Sequence, residues 1–361
     1  MRNTGARVRS FVADEVPGFF RHRLCRGPDR NYRNRPTIIG ELGPKHTPAL
    51  MILAHSDTVQ ITRPADWTFD PFCGELLEGR ICGLGAEDDK WGTAAMLTMM
   101  RALTTSRMPL KKRLIFASTI DEENGVGNGM LLLMLSGIQA EEALYLDGNE
   151  MQICVGNLGG SFLYLRPKRK IIPEEMARHA ARLKTACVEM CKERVSVFSH
   201  PRLKDNLWRE QSVILCENED ENGSYLMVAF YTVLEDDRDR VCTWLEAGVQ
   251  AALGRDMDNY VLSYLEPWFE PVIISENTPM VRHLSHSIMS VLGREPVITT
   301  VSKIDAFVLN NHARIPTVSF GPAKKGTEPG AFHQPDEYIT VERAWHAYQI
   351  TRNAVWAWLE E

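Results

Sequence analysis

Residues 50–57 read Leu-Met-Ile-Leu-Ala-His-Ser-Asp, five apolar residues that run directly into a histidine and an aspartate. A short apolar run bounded by polar residues is typical of a buried strand. Three further runs end in a similar way: 113–119 before Asp121-Glu122-Glu123, 143–146 before Asp147-Gly148, and 316–320 before Gly321-Pro322. Helical patterns at 93–103 and 341–359 alternate with these runs. The sequence therefore predicts an α/β fold with a mixed sheet flanked by helices.

The middle third of the chain has a different pattern. Strands are predicted at 162–165, 195–198 and 225–233, and helices are predicted from Pro173 onward and over 238–253. This α+β pattern is long enough for its own core. Because acidic strand ends occur on both sides of it, we predict that residues 161–267 form a domain inserted into a catalytic domain made of 1–160 and 268–361.

Composition excludes several classes of protein. The 361 residues include 41 Lys+Arg and 47 Asp+Glu, a formal net charge of −6, and 44% are apolar. These values are ordinary for a soluble globular protein, and the mild acidity predicts no nucleic-acid partner. No apolar run reaches the roughly eighteen residues of a membrane span, and no signal-peptide core follows the polar N-terminus. We therefore expect a cytoplasmic protein with no membrane partner. The eight cysteines are scattered without a Cys-x-x-Cys pair, so free thiols are expected.

Histidines and carboxylates at several strand ends predict a metal centre. The carboxyl ends of parallel strands meet at one edge of a sheet, and a pair of divalent ions takes imidazole nitrogen and carboxylate oxygen as ligands. The candidate ligands are His55, Asp88, Glu122 or Glu123, Asp147 and His333. Each residue alone is more typical of a satisfied surface or core position. The glycine-rich segment around Asp88 lacks Gly-Lys-Ser/Thr and is acidic, so it is not a phosphate loop.

Five motifs, in this order, resemble those of the co-catalytic dinuclear zinc peptidases, a family that includes peptidase T, glutamate carboxypeptidase, succinyl-diaminopimelate desuccinylase, carnosinase and the aminoacylases. The motifs are His55-Ser-Asp57-Thr, Gly85-Ala-Glu-Asp88-Asp-Lys90-Trp-Gly92, Asp121-Glu122-Glu123-Asn-Gly125, Leu146-Asp147-Gly148 and Phe332-His333-Gln-Pro-Asp-Glu337-Tyr. The resemblance implies a zinc-exopeptidase-like fold, and it makes the inserted segment a lid or dimerisation domain, through which a homodimer is expected.

The resemblance also implies a role for each residue. His55 and Asp147 would bind one metal ion, Glu123 and His333 the other, and Asp88 would bridge them. Glu122 would be the general base, Asp57 would orient His55, and a cis peptide would follow Asp88. The metal ions implied are two Zn²⁺, with Co²⁺ or Mn²⁺ as alternatives.

The reaction implied is hydrolysis of an amide bond by a metal-bridged hydroxide, with Glu122 as the base. Asp147 lies in Leu-Asp-Gly, as in peptidase T and the dipeptidases, whereas deacylases and carboxypeptidases of the family commonly have Glu-Pro there. This favours an aminopeptidase or dipeptidase acting on short peptides over an N-acyl amino acid hydrolase or a carboxypeptidase. A non-catalytic binding protein is disfavoured because none of the seven site residues is missing.

A donor for the oxyanion is less evident. Many members use a lid histidine of the partner subunit in a His-Pro or His-Ser turn, and Ser199-His200-Pro201 is the candidate here, with His179 second and an exposed turn as the alternative. His283 and His286 have a metal-binding spacing but are more typical of a helix surface. Asp305-Ala306 resembles an Asp-Ala stretch that lies near the site in the family.

Overall fold

The apolar run that ends at His55 forms a strand that is buried along its whole length in the largest sheet. The computed structural model describes residues 1, 5–26, 31–61, 63–106, 109–125, 127–204, 207–220, 222–301 and 303–361. Its strands are β1 Arg7–Phe11, β2 Thr37–Leu42, β3 Ala49–His55, β4 Leu76–Leu77, β5 Arg80–Cys82, β6 Arg113–Thr119, β7 Glu142–Tyr145, β8 Ile153–Asn157, β9 Gly159–Pro167, β10 Val213–Asp220, β11 Gly223–Thr232, β12 Tyr260–Tyr264, β13 Val272–Ile273, β14 Ile298–Val301, β15 Thr317–Ser319 and β16 Tyr338–Thr340. Its α-helices are α1 Trp91–Ser106, α2 Glu122–Gly125, α3 Asn128–Leu135, α4 Pro173–Arg194, α5 Pro201–Lys204, α6 Arg238–Leu253, α7 Pro279–Leu292 and α8 Val341–Glu360.

The largest sheet has the strand order β1-β2-β6-β3-β7-β15-β8-β13, and β14 pairs with β8. Strand β3 runs parallel to β6 and β7, and β15 runs parallel to β7. Strands β1, β2 and β6 pair antiparallel in that order, as do β15 and β8. The predicted α/β class with a mixed sheet is therefore confirmed.

Helices cover the central strands. Leu50 and Ile52 of β3 share a core with Met96 of α1, Leu284 of α7 and Trp358 of α8. The intervening residues of β3 are also fully buried, so the strand is covered on both faces. Burial on both faces explains why its sequence is a continuous apolar run rather than an alternating one.

Parallel pairing brings the polar strand ends together. His55 is the register partner of Thr119 in β6, and Leu53 is the partner of Tyr145 in β7. Two residues further on, His55 and Asp147 therefore reach the same edge of the sheet. The motif Asp121-Glu122-Glu123 follows Thr119 at that edge.

The chain divides into two compact units. One comprises Met1–Gly156, Ile273–Thr299 and Ile304–Glu361, and it includes a small sheet of order β16-β5-β4. The other comprises Asn157–Val272 and Thr300–Lys303. Its antiparallel sheet has the order β10-β11-β9-β12, and α4 and α6 pack on that sheet through residues such as Leu183 and Leu245.

One prediction for the second unit is wrong. The strand predicted at 195–198 is a 3-10 turn, Val195–Val197, because the Val195 amide donates to the Cys191 carbonyl and the chain continues the winding of α4. The acidic segment 217–220 belongs to β10, which pairs with β11.

The eight cysteines are free thiols, as expected. No helix in the described part of the chain is long and apolar enough to cross a membrane.

Candidate metal centre

His55 ends strand β3 with a fully buried imidazole. Its Nε2 lies 2.7 Å from Asp88 Oδ1. Its Nδ1 lies 3.1 Å from the backbone carbonyl of Asp57 and 3.6 Å from that residue's carboxylate. The carbonyl, rather than the expected carboxylate, is thus the nearer partner of the ring. Contacts on both nitrogens fix the ring and direct Nε2 toward Asp88.

The Asp57 carboxylate has a second role that the sequence did not indicate. It accepts the backbone N–H groups of Glu122 at 3.3 Å and Glu123 at 3.1 Å. Burial opposes ionisation of Asp57, but the hydrogen bonds from His55 and from these two amides lower its pKa. A charged acceptor at the end of β3 therefore anchors the start of α2, where the predicted base and a predicted ligand lie.

Asp88 lies in a tight bend that requires glycine on both sides. Gly85 adopts a left-handed φ of 81°, and a Cβ at Gly92 would lie 2.5 Å from Asp89 Oδ1. The Asp88-Asp89 peptide bond is cis, as the resemblance implies. Asp89 is fully buried, and its carboxylate accepts the His55 backbone N–H at 3.2 Å, so the bend is fastened directly to strand β3.

Two buried residues from the C-terminal part of the chain, Glu337 and Lys324, clamp the same bend. Glu337 accepts the backbone N–H groups of Gly85 at 3.0 Å and Glu87 at 2.9 Å. The Glu87 carboxylate pairs with the ammonium of Lys324 at 2.9 Å, and the Lys324 ammonium lies 3.7 Å from the centre of the Tyr338 ring. The clamp therefore joins the segment that carries Asp88 to the segment that carries His333. Glu337 was visible only as part of a motif, and no sequence pattern indicated the pairing of Glu87 with Lys324.

His333 completes a four-residue cluster. Its Nε2 lies 3.1 Å from Asp88 Oδ2 and 3.0 Å from Glu123 Oε2. Ligand atoms of His55, Asp88 and Glu123 all lie within 4.8 Å of one another. Asp88 thus lies between two histidines, with one carboxylate oxygen near each. Imidazole nitrogen and carboxylate oxygen are suitable donors for zinc and for harder divalent ions, so this set fits such cations.

Charges in the cluster are strongly perturbed. Burial opposes ionisation of Asp88, but hydrogen bonds from His333 and His55 hold its pKa below the usual range. Burial lowers the pKa of His333, but its contacts with Asp88 and Glu123 outweigh burial and raise that pKa to about 10. The histidines therefore act as the counter-charges of the carboxylates, which is the part that bound cations would play.

Two predicted residues and one further carboxylate interact electrostatically with this cluster. Burial, reinforced by the charge of Asp88, raises the pKa of Asp147 to about 8. Burial also raises the pKa of Glu122, and the negative charge of Asp305 adds to the effect. Asp305 is itself fully buried, and burial raises its pKa to about 7. It is the residue of this group whose role the sequence left open.

The histidine candidates for the oxyanion belong to the second unit. His200 Nδ1 accepts the backbone N–H of Arg202 at 3.3 Å, at the start of the short helix α5. His179 is buried on α4, with Nδ1 2.8 Å from the Tyr260 hydroxyl, so it is part of that unit's core. The role of His200 toward an oxyanion stays a prediction. In the first unit, His283 Nε2 lies 3.3 Å from Glu361.

Comparison with known proteins gives likenesses of two kinds. In sequence, the chain is 35% identical over 125 residues to a succinyl-diaminopimelate desuccinylase of Rhodospirillum centenum, which is 34% of this chain and 31% of that protein. In structure, it is similar to human carnosine dipeptidase 1, with a TM-score of 0.74, 15% identity and coverage of 100% of this chain and 89% of that one. It is also similar to a Bacillus subtilis protein described as a dinuclear metal binding peptidase, with a TM-score of 0.54, 16% identity and coverage of 96% and 91%.

The two structural likenesses concern the fold alone. The chain spans about a third of the length of the curated desuccinylase that it matches. The model of peptidase family M20/M25/M40, by contrast, matches residues 51–357, which include every motif quoted above. The resemblance seen in the motifs is confirmed, and the chain belongs to peptidase family M20/M25/M40.

Proposed function

We propose that the protein is a hydrolase that uses two divalent metal ions to cleave the amide bond of short peptides. Zn²⁺ is the proposed ion, with Co²⁺ and Mn²⁺ as alternatives. His55 and Asp147 would hold one ion, Glu123 and His333 the other, and Asp88 both. The observation that carries the proposal is the position of Asp88, with a histidine 2.7 Å from one carboxylate oxygen and another 3.1 Å from the second. A carboxylate placed in this way is suited to bridge two ions.

The protein side chains have separate tasks in this reaction. Bound divalent ions supply Lewis acidity toward the amide carbonyl and lower the pKa of water. Glu122 takes a proton from the attacking water and gives it to the departing nitrogen. Burial raises the pKa of Glu122 above that of an ordinary glutamate, which favours its holding the proton between these two steps. Asp57 holds the Glu122 amide, so the start of α2 stays in place while the proton moves.

Substitution of Glu122 tests this assignment. Glu122→Gln is expected to keep both metal ions and to lower kcat by about 10²–10⁴, because general acid–base catalysis contributes about that much. The metal content of the purified protein and the rate of amide hydrolysis should be measured together. Glu141→Gln, on an exposed residue before β7, is the matched control and should leave both unchanged. A loss of metal in Glu122→Gln would contradict the assignment, because it would show Glu122 to be a ligand.

The substrate class follows from Asp147 and from the likenesses. Its Leu-Asp-Gly context favours dipeptides and other short peptides, and the likeness to a carnosine dipeptidase agrees with this. The desuccinylase likeness supports a second candidate, hydrolysis of N-acyl amino acids. The protein loaded in turn with Zn²⁺, Co²⁺ or Mn²⁺ should be offered dipeptides, tripeptides and N-acyl amino acids. Hydrolysis of none of them with any metal would refute the enzymatic proposal.

Assembly through the inserted segment is implied by the same resemblance. Homodimerisation through residues 161–267 and a cytoplasmic location stay predictions. Sedimentation velocity of the full chain, compared with a variant carrying charged substitutions on the exposed Ile172 and Val188, would test the first.

A further inference from the structure

A cleft of about 550 Å³ lies in the first unit, and its lining includes none of the residues assigned to hydrolysis. The N-terminal halves of helices α1 and α8 form two of its sides, and strands β5 and β16 of the small sheet contribute to the rest. Most of its surface is apolar or aromatic, including Trp91, Ile339, Trp345 and Tyr348. Its volume falls within the range of about 300–1,000 Å³ that is typical of small-molecule sites.

Large apolar side chains at this cleft are left in water. Phe72 is 70% exposed and Trp345 is 52% exposed, and both line the cleft. Ile81 and Val341 line it as well and are also exposed. A cluster of exposed apolar residues around a concavity is typical of a binding site, because removing such surface from water is favourable.

The charge of the cleft restricts the ligand. Among the described residues that line it, Lys90 alone carries a charged side chain, and no carboxylate is present. The Lys90 side chain is exposed, and its ammonium donates to the Leu84 carbonyl at 3.5 Å. We propose that the cleft binds a small molecule with an apolar body and one carboxylate, with the carboxylate at the Lys90 ammonium.

The cleft and the metal centre share a segment of chain. Gly83, Leu84 and Ala86 line the cleft, and Asp88 follows two residues later. Lys90 also lies in the electrostatic field of Glu337 first, and then of Asp57, Asp88 and Glu123. Cations at the centre would offset the negative charges of the last three, so metal binding is expected to strengthen anion binding at Lys90. By thermodynamic reciprocity, the anion would then strengthen metal binding.

Decanoate is a suitable probe, with decanol as its uncharged match. Both should be titrated by calorimetry into the full chain, below their aggregation limits, with and without Zn²⁺. We expect decanoate to bind about two- to fivefold more tightly than decanol, as for a partly exposed ion pair, and more tightly with Zn²⁺ than after chelation. Lys90→Gln should abolish the preference for decanoate and leave the affinity for decanol unchanged.

Two further changes locate the site. Ala344→Trp should fill the cleft and abolish binding of both probes, whereas Ala357→Trp, on the same helix but outside the cleft, should not. Should Ala344→Trp fail to fold, two substitutions of opposite charge at the exposed rim residue Val341 provide a second test. Val341→Glu should weaken decanoate binding and Val341→Lys should strengthen it.

Three results would overturn the proposal. The first is decanoate binding by Ala344→Trp equal to that of the wild type, and the second is an unchanged decanoate preference in Lys90→Gln. The third is a Kd above about 1 mM for both probes, which is too weak for a dedicated site. If neither probe binds and the Val341 variants instead change the sedimentation coefficient, the apolar face is an interface between copies of the chain, which also overturns the proposal.

Discussion

Glu337→Gln tests whether the buried clamp positions the metal ligands. One oxygen of the carboxylate accepts the Gly85 amide and the other accepts the Glu87 amide. Both amides lie in the segment that leads to Asp88. Glutamine keeps one acceptor oxygen and turns an amide group toward the other N–H, so one hydrogen bond to a charged acceptor is lost. Such a bond contributes about 1.5–3 kcal/mol.

If that cost falls on the conformation that binds metal, the apparent Kd for Zn²⁺ should rise by roughly 10–100-fold. The affinity should be measured by competition with a chelator, and the free energy of unfolding of the metal-free protein should be measured in urea. Glu342→Gln, an exposed position at the start of α8, removes the same charge and should change neither value appreciably.

The pH dependence gives a second check on Glu337. Burial raises its pKa to about 7, so the wild-type carboxyl is ionised at pH 8 and mostly protonated at pH 6. A protonated carboxyl, like an amide, offers only one good acceptor. The ratio of the Zn²⁺ Kd of Glu337→Gln to that of the wild type should therefore be large at pH 8 and close to one at pH 6. A variant that unfolds more easily yet binds Zn²⁺ within about threefold of the wild type would refute the positioning role, because the clamp would then serve stability alone.

Three other changes have definite expected results. Asp305→Asn removes a negative charge that raises the pKa of Glu122, so the acid limb of the kcat/KM profile should move to lower pH. A limb that does not move would contradict this coupling. Glu142→Gln removes a carboxyl whose pKa burial raises from 4.5 to about 7. As pH rises through this range, the carboxyl ionises in the unfolded state before it does so in the folded state. The stability of the wild type should therefore fall relative to that of Glu142→Gln as pH rises from about 4.5 to 7. Urea unfolding of both proteins at pH 5 and pH 8 should show this divergence, on the order of 1–2 kcal/mol, and parallel profiles would exclude it. Zn²⁺ at about 100 times its Kd should add about 2.7 kcal/mol of stability, so chelation should lower the Tm by several degrees, and an unchanged Tm would argue against a metal centre.

Strand ends were the part of the site that the sequence could predict. An apolar run that stops at His55 and another that stops before Asp147 have a local signature, and parallel pairing converts that signature into proximity. The mixed sheet and the helices α1 and α8 follow from periodicity in the same way. The strand predicted at 195–198 failed because a Val-x-Val pattern is too short to outweigh the helical winding of the residues before it.

Contacts between distant loops had no local signature. Lys324, in a Lys-Lys pair, has the sequence context of a solvated turn, yet its side chain is buried against Glu87, 237 residues away. The Asp57 carboxylate was predicted to hold an imidazole, and it also holds the amides of Glu122 and Glu123. Residue type gives the chemistry that a side chain can perform, but it does not give the distant partner that a buried charge requires.

These contacts account for how an acidic site can keep its shape. Asp88 has a histidine near each oxygen, Glu123 has His333 near both of its oxygens, and Asp57 has two amides, whereas burial raises the pKa values of Asp305 and Asp147. Carboxylates that close together repel one another, and each anchoring contact lowers the cost of holding one of them in place. Cations would remove the remaining repulsion. The backbone is therefore held by Asp57 at α2 and by Glu337 at the bend, and neither residue has been assigned as a ligand. The geometry of the centre should for this reason persist after chelation, while the stability of the protein declines.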